Sequence, residues 1–385
     1  MKNLLEEAGY GALYKTKTRE GMGSAGKVDG CALFYRKSRM RLVSYSELEL
    51  NEAAAMHHAE GVARLEAQLQ ARPPSISPAD FEMRRTALDA AHKRLLRDNI
   101  AQVVVLSVTH SPSGAPLDAE VPLLVVNTHL FWDPQYADVK LWQAAVLVRQ
   151  VEAARMSEGA RVAAAAVAAG GGSGNSTPSG GAKPVPLLLC GDLNSEPSSA
   201  VYKLLAGNTL TPGGAVVRGA GGSAGAGARS ELGELPPDPS GVLAALAAPG
   251  GGRSRLAHGI PLASLHTLVT GAEPPFTNLT RDYVGTLDYV WASTDSVRAL
   301  SAVEIPSAEV LTGGSRHMGA RRAAGLGGGA FEAAGGGGPN AYSGGGGTFG
   351  GAPAASDEID GSEGLPNGQW PSDHLPLVFE VVLEP

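Results

Sequence analysis

The chain has 385 residues, 43% of them hydrophobic and 18% charged, which is enough to bury a sizeable core. Its formal net charge of −7 excludes a bulk attraction to nucleic acid, although residues 1–41 carry nine Lys or Arg against four acids and can face either phosphates or solvent. No stretch is apolar for long enough to span a bilayer, and "MKNLLEEAGY" lacks a secretion signal, so the expected setting is intracellular.

In chain order, strands are expected near residue 12 ("ALYKTKT") and from Gly30 ("GCALFYR"). Residues 51–72 and 79–98 read as two charged helices split by "RPPSISP", an arm or insertion over 51–98. The runs "AQVVVLSVT" from Ala101, "PLLVVNTHL" from Pro122 and "VPLLLCGDLN" from Val185 are apolar on both faces, as buried central strands are. Before the last of these, "ADVKLWQAAVLVRQVEAARM" sets Leu141, Ala145, Val148 and Val151 on one helical stripe, with Asp138 as its expected cap. Pro197 and Ser198 signal the start of a short helix, and Gly207 its end. "TLDYVWAS" from Thr286 and "PLVFEVVL" from Pro376 complete the strands.

Most of the 52 Gly fall in 159–183, 212–255 and 313–367, which show no hydrophobic period and are expected to be flexible inserts on a single domain spanning 1–385. The G-x-S-x-G at 221–225 and the G-x-G-x-x-G of Gly345, Gly347 and Gly350 lie inside these inserts, without the strand and helix their mechanisms need. Cys31 and Cys190 make no CxxC pair; they are expected to be buried thiols, with a disulfide as the alternative.

Four strand ends carry polar groups. Asp192 and Asn194 stand two apart, so strand alternation can aim both into one cleft to hold a cation or orient water; a turn explains the same pair. Asn127 and His129 share a face, and Asp288 sits in an apolar strand where a carboxylate needs a partner. Asp373 and His374 precede the final strand. Together this inventory suits metal-assisted phosphoester hydrolysis, with an Asp activating water and His374, supported by Asp288, stabilising phosphoryl charge.

The ordered blocks "KVDGCALFYR", "NTHLFWDPQYADVKLWQ", "CGDLNSEPSSAVYKLL", "FTNLTRDYVGTLDYVWAS" and "PSDHLPL" resemble the endonuclease/exonuclease/phosphatase superfamily and, within it, the CCR4-type poly(A)-specific exoribonucleases, or deadenylases. The resemblance implies an α/β fold, a four-layer α/β/β/α sandwich of the DNase I-like kind. It implies dependence on Mg²⁺, or Mn²⁺ in its place, and release of 5′-AMP from single-stranded poly(A) RNA. Asp192 would handle the attacking water, Asn194 would hold phosphate or metal, His129 would contact phosphate, and Asp288 would position His374. Asp373, with Asp192 and Asn194, would belong to the metal shell. Pro134, Phe276 and Asn278 would bind substrate, the first two flanking an adenine; core packing is the other reading of Phe276. A deadenylase scaffold and a cytoplasmic or nuclear location go with this family, and no membrane partner does. The family's opening Asn strand and the Gln-Glu strand carrying its principal metal Glu have no match, so an N-terminally truncated, marginally stable chain is expected. The alternatives are a catalytically impaired RNA- or protein-binding member, and a relative acting on DNA abasic sites or on a nucleotide such as NADP.

Overall fold

Alternation of side chains along four long apolar strands builds the centre of the molecule. The computed structural model describes residues 2–17, 29–72, 74–168, 184–207, 210–211, 233–234, 243, 256–312 and 364–384. In order these form α1 (Lys2–Glu7), β1 (Tyr10–Thr16), β2 (Gly30–Arg36), β3 (Met40–Glu49), α2 (Leu50–Gln70), α3 (Pro78–Leu95), β4 (Ile100–His110), β5 (Pro116–His129), α4 (Ala137–Ala168), β6 (Leu187–Asp192) and α5 (Ala200–Leu205). There follow β7 (Leu210–Thr211), β8 (Gly233–Glu234), β9 (Leu262–Ser264), α6 (Leu265–Thr270), β10 (Asn278–Leu279), β11 (Val284–Gly285), β12 (Asp288–Ser293), β13 (Val297–Ala302), α7 (Ala308–Leu311) and β14 (Phe379–Leu383). The chain divides into two compact units. The larger holds Met1–Thr277, Gly285–Glu304 and Pro376–Pro385; the smaller holds Asn278–Val284 and Ile305–Leu375.

In the larger unit a six-stranded sheet runs β3-β4-β5-β6-β12-β9. Its pairs are antiparallel except β5–β6, which is parallel because α4 supplies the crossover. One face presents Val103, Val105, Leu124, Val126, Leu187, Leu189, Tyr289 and Trp291 to helices α2, α3, α4 and α5 in one buried core. The other face is covered by two separate ribbons. β1–β2 packs Leu13 and Leu33 on Val104 and Leu106, and β13–β14 packs Val297, Phe379 and Val381 near Leu188 and Val290. Both faces are therefore apolar, as the unbroken hydrophobic runs require. In the smaller unit Ser307 caps α7, and the Asn367 amide donates to Leu311 O at 2.9 Å. No helix among the described residues is long and apolar enough to cross a membrane.

Several local expectations need correction. Asp138 does not cap α4: it lies inside the first turn, 1% exposed, and accepts two 2.8 Å hydrogen bonds from Arg94. The cap upstream is Asp133, which accepts from Gln135 N in the 3₁₀ turn Pro134–Tyr136. α5 is capped by Ser199, one residue beyond Ser198, through a bond from Tyr202 N. Residues 159–168, expected to open an irregular insert, extend α4; 364–367 are also described, and most of the remaining Gly-rich residues lie outside the described ones.

The arm is a helical hairpin. Gly61 lets α2 approach Leu88 of α3, and the His58 and His92 rings stack with centroids 4.7 Å apart. His58 Nε2 lies 2.6 Å from Asp89 Oδ1, which also faces Arg85; His57 and Leu88 line the same contact. Burial, and next the charge of His58, hold His92 below the ordinary imidazole range, although Asp89 opposes this. The unfolded chain therefore binds the proton more readily. Stability carried by neutral His92 is present above roughly pH 6.5 and is lost as pH falls through that value toward the lower folded one. The pairing of Asp89 with His58 depresses the carboxylate and fades only at more acidic pH. Amide exchange in α2 and α3 is expected to accelerate between pH 7.5 and 5.5 after correction for intrinsic rates, and His92→Gln to flatten that change; a pH-independent arm contradicts it.

Candidate active site

Strand register sets the site. Parallel pairing of β5 with β6 places His129 opposite Asp192, and antiparallel pairing of β6 with β12 places Asp288 opposite Asp192. Three strand positions thus form one row, with carboxylate oxygens of Asp192 and Asp288 within 4.8 Å of one another. Gly191 permits this closeness. A Cβ there would stand 2.2 Å from Thr128 O, inside the neighbouring backbone.

His129 Nε2 lies 3.4 Å from Asp192 Oδ2, and its Nδ1 lies 3.4 Å from Lys17 Nζ, which in turn pairs with Asp29 at 3.1 Å. An ammonium has donors only, so Nδ1 accepts and the ring proton sits on Nε2, toward Asp192. Asn99 donates to His129 O at 2.8 Å and accepts from Gln143, whose own oxygen takes Phe131 N–H at 2.9 Å. These buried amides fix the chain as it leaves β5. Asn127 instead donates to Ala32 O at 3.0 Å and to Gln102 Oε1 at 3.3 Å, tying β5 to its neighbours rather than entering the row.

Asn194 is not a strand neighbour of Asp192 but a residue folded back on it. At φ +46° its backbone N–H donates to Asp192 Oδ1 at 2.8 Å, and its amide nitrogen donates to Asp192 Oδ2 at 3.3 Å and to Leu130 O at 3.0 Å. The turn and the site are therefore the same object, and Oδ1 is the atom of Asn194 left to serve a metal. Lys140 Nζ donates to Asn194 O at 2.8 Å; burial lowers its affinity for the proton, against the pull of Asp133, Asp192 and Glu196. On the other side Thr277 Oγ1 donates to Asp288 Oδ2 at 2.8 Å while accepting from the backbone N–H of Leu287 and Asp288, so the hydroxyl pins the carboxylate.

Of the substrate-contact candidates in this unit, Pro134 is exposed, whereas Phe276 is only 6% exposed and its ring is largely packed away. The smaller unit holds Asn278, Asp373 and His374. Asn278 is buried, with its amide 3.4 Å from Asp373 Oδ2, and it bridges to the backbone of His374; Leu279 N donates to Asp373 O at 3.0 Å. The larger unit thus assembles His129, Asp192, Asn194 and Asp288. Lys17, Lys140 and Thr277 join them, none of which carried a role in the sequence reading. Lys17 lies in the basic excess of residues 1–41, and Lys140 and Thr277 lie within the blocks "NTHLFWDPQYADVKLWQ" and "FTNLTRDYVGTLDYVWAS". Both cysteines are free thiols, pushed by burial to about 11 for Cys31 and about 12 for Cys190, and are chemically quiet.

Two carboxylates this close favour a cation between them, and an all-oxygen set fits a hard divalent ion such as Mg²⁺ or Mn²⁺. A family model described as "Endonuclease/Exonuclease/phosphatase family" matches residues 3–374. The chain belongs to the endonuclease/exonuclease/phosphatase family. Among similar family members, "Carbon catabolite repressor protein 4 homolog 1" of Arabidopsis thaliana is 29% identical over 327 residues, 80% of this chain and 42% of that protein. "CCR4-Not complex 3′-5′-exoribonuclease subunit Ccr4" of Yarrowia lipolytica is 30% identical over 302 residues, 77% of this chain and 34% of that one. The chain spans less than half the length of these curated relatives. Among solved structures, ANGEL2, described as a 2′,3′-cyclic phosphatase, aligns with a TM-score of 0.47 at 20% identity, over 80% of this chain and 70% of that one. The human Nocturnin catalytic domain aligns at 0.40 and 18%, over 80% and 68%.

Proposed function

We propose that this chain is a divalent-metal-dependent hydrolase that shortens single-stranded poly(A) RNA from its 3′ end and releases 5′-AMP. The observation that carries the reading is the row His129–Asp192–Asp288, three phosphate-chemistry side chains aligned by strand register. Family membership supports phosphoester chemistry, and the names of the CCR4-type relatives support an RNA 3′ end as substrate.

A bound Mg²⁺ or Mn²⁺, held by Asp192, Asp288 and Asn194 Oδ1, would neutralise phosphate oxygens. The chain's own groups do the rest. Asp192, oriented by both nitrogens of Asn194, accepts the proton of the attacking water. The new bond joins that water oxygen to phosphorus, and the bond that breaks is between phosphorus and the 3′-oxygen of the penultimate nucleotide, which leaves with the electron pair and takes a proton from solvent to become the new 3′-hydroxyl. His129 presents Nε2–H to the phosphoryl oxygens, and Lys17 adds positive charge behind it. By their motif, Asp373 and His374 of the smaller unit are assigned a metal ligand's role and the stabilising of phosphoryl charge. Pro134, Phe276 and Asn278 contact the terminal adenylate, Phe276 only through the rim that burial leaves it. A deadenylase scaffold and a cytoplasmic or nuclear location accompany this reading.

The test is a 5′-labelled oligo(A) incubated with the protein in Mg²⁺ beside NADP. Stepwise shortening with release of AMP supports the proposal. Phosphate released from NADP with the RNA left intact replaces it with nucleotide phosphatase action. Binding of oligo(A) with neither product points to a non-catalytic family member.

A further inference from the structure

We infer that Lys140 is a positioning residue of this site, the tether that holds Asn194 in the left-handed turn from which it grips Asp192. The inference rests on the hydrolase reading for its meaning but on separate contacts for its geometry.

Asn194 gives both its donors to one carboxylate, the backbone N–H to Oδ1 and the amide to Oδ2. It reaches both only because its φ is +46°, a conformation that Asn tolerates better than most residues but that still needs support from its surroundings. Two ties outside the turn provide that support. The amide is held by Leu130 O at 3.0 Å, and the backbone carbonyl by Lys140 Nζ at 2.8 Å. The first tie shares the nitrogen that also serves Asp192. The second acts on the peptide group itself and so sets the orientation of the turn.

Lys140 is an unusual residue for this task. It lies in the first turn of α4, only 7% exposed, where a lysine ordinarily extends to water. A buried ammonium persists where its hydrogens and charge are answered, and here the carboxylates of Asp133, Asp192 and Glu196 surround it. Its hydrogen bond goes to the carbonyl of Asn194, so it sets the turn directly, while its charge also faces Asp192. Because α4 also carries Gln143, which braces the exit of β5, one helix fixes both sides of the His129–Asp192 pair.

The experiment compares Lys140→Met and Lys140→Arg with wild type. Metal-free protein is followed by residue-resolved amide exchange, and activity on oligo(A) is measured in parallel. In Lys140→Met the Asn194 amide is expected to exchange about tenfold faster, while amides of β4 and β5 keep their rates. In the same variant kcat falls on the order of tenfold with KM within about twofold, because the groups that contact substrate remain. Lys140→Arg, which keeps a donor, recovers part of both. Unchanged Asn194 exchange in Lys140→Met overturns the inference, and so does an equal acceleration throughout the sheet. If Lys140→Met does not fold, wild type decides: a scalar coupling across the hydrogen bond from the Lys140 ammonium to the Asn194 carbonyl is expected, and its absence overturns the tether. The exchange and coupling need neither metal nor RNA. A wild-type protein that leaves oligo(A) intact thus counts against the hydrolase reading and leaves the tether to be judged by its own data.

Discussion

Asp192→Asn is expected to lower the hydrolysis rate by about 10³-fold while raising the thermal stability of the metal-free protein. The rate effect follows from position. Asp192 is the middle of the row, within hydrogen-bonding range of His129 on one side and beside Asp288 on the other, and the proposed mechanism sends the water's proton to it. Removing a general base of this kind typically costs about 10²–10⁴-fold, and loss of a cation ligand adds to it. The stability effect follows from charge. Two carboxylates within 4.8 Å repel each other, by a few kcal/mol at an effective dielectric near 20, and nearby Lys17 and Lys140 cancel only part of this. Relief of about 1 kcal/mol corresponds to a gain of about 2–4 °C. Wild type should also gain several degrees from millimolar Mg²⁺ or Mn²⁺, and the variant much less. Melting curves of both proteins with and without the ion check the whole argument. Equal ion-induced shifts in the two proteins would remove Asp192 from the cation site.

Gly191→Ala is expected to cost about 2–3 kcal/mol and to reduce activity by at least about 10²-fold, although its side chain touches no substrate. The added Cβ would meet Thr128 O at 2.2 Å and Thr128 C at 3.0 Å, and both are backbone atoms that cannot rotate away. β5 and β6 must separate at the pair that sets His129 opposite Asp192, so the reacting groups shift together. Gly207→Ala is the control. It sits at φ +79° with nothing within 4 Å of the new Cβ, so it should cost about 1 kcal/mol of backbone strain and leave activity intact. Denaturant unfolding and initial rates on oligo(A) distinguish the two; a Gly191→Ala protein with wild-type rates would refute the register argument.

The sequence revealed most where one local signal sufficed. β2 occupies Gly30–Arg36, the residues of the run "GCALFYR", because its alternation and aromatic content have one reading. The two helices of the arm fall within three residues of their expected ends. β3 escaped notice because a half-exposed edge strand, "MRLVSYSELE", carries polar residues on the outer side and lacks the apolar run of its neighbours. Asp192 and Asn194 were legible as a pair, but strand alternation was the wrong reason for their proximity. β6 ends at Asp192, and a left-handed turn brings Asn194 back. Lys17, Lys140 and Thr277 were hidden for a different reason. Each acts on a residue 11 to 112 positions away, and no local pattern encodes which distant carboxylate or imidazole a lysine or threonine will meet.

The place of β12 beside β6 has a consequence in time. Asp192 finds His129 on a strand already made, but Asp288 belongs to a strand synthesised almost a hundred residues later. At about 5–20 residues per second, a nascent chain carries the first half of the row for roughly 5–20 s before the second half exists. During that interval a ribosome displays an aspartate without its carboxylate partner. A growing chain that has not reached residue 288 therefore carries one carboxylate of the pair and lacks the acidic partner that would hold a cation with it.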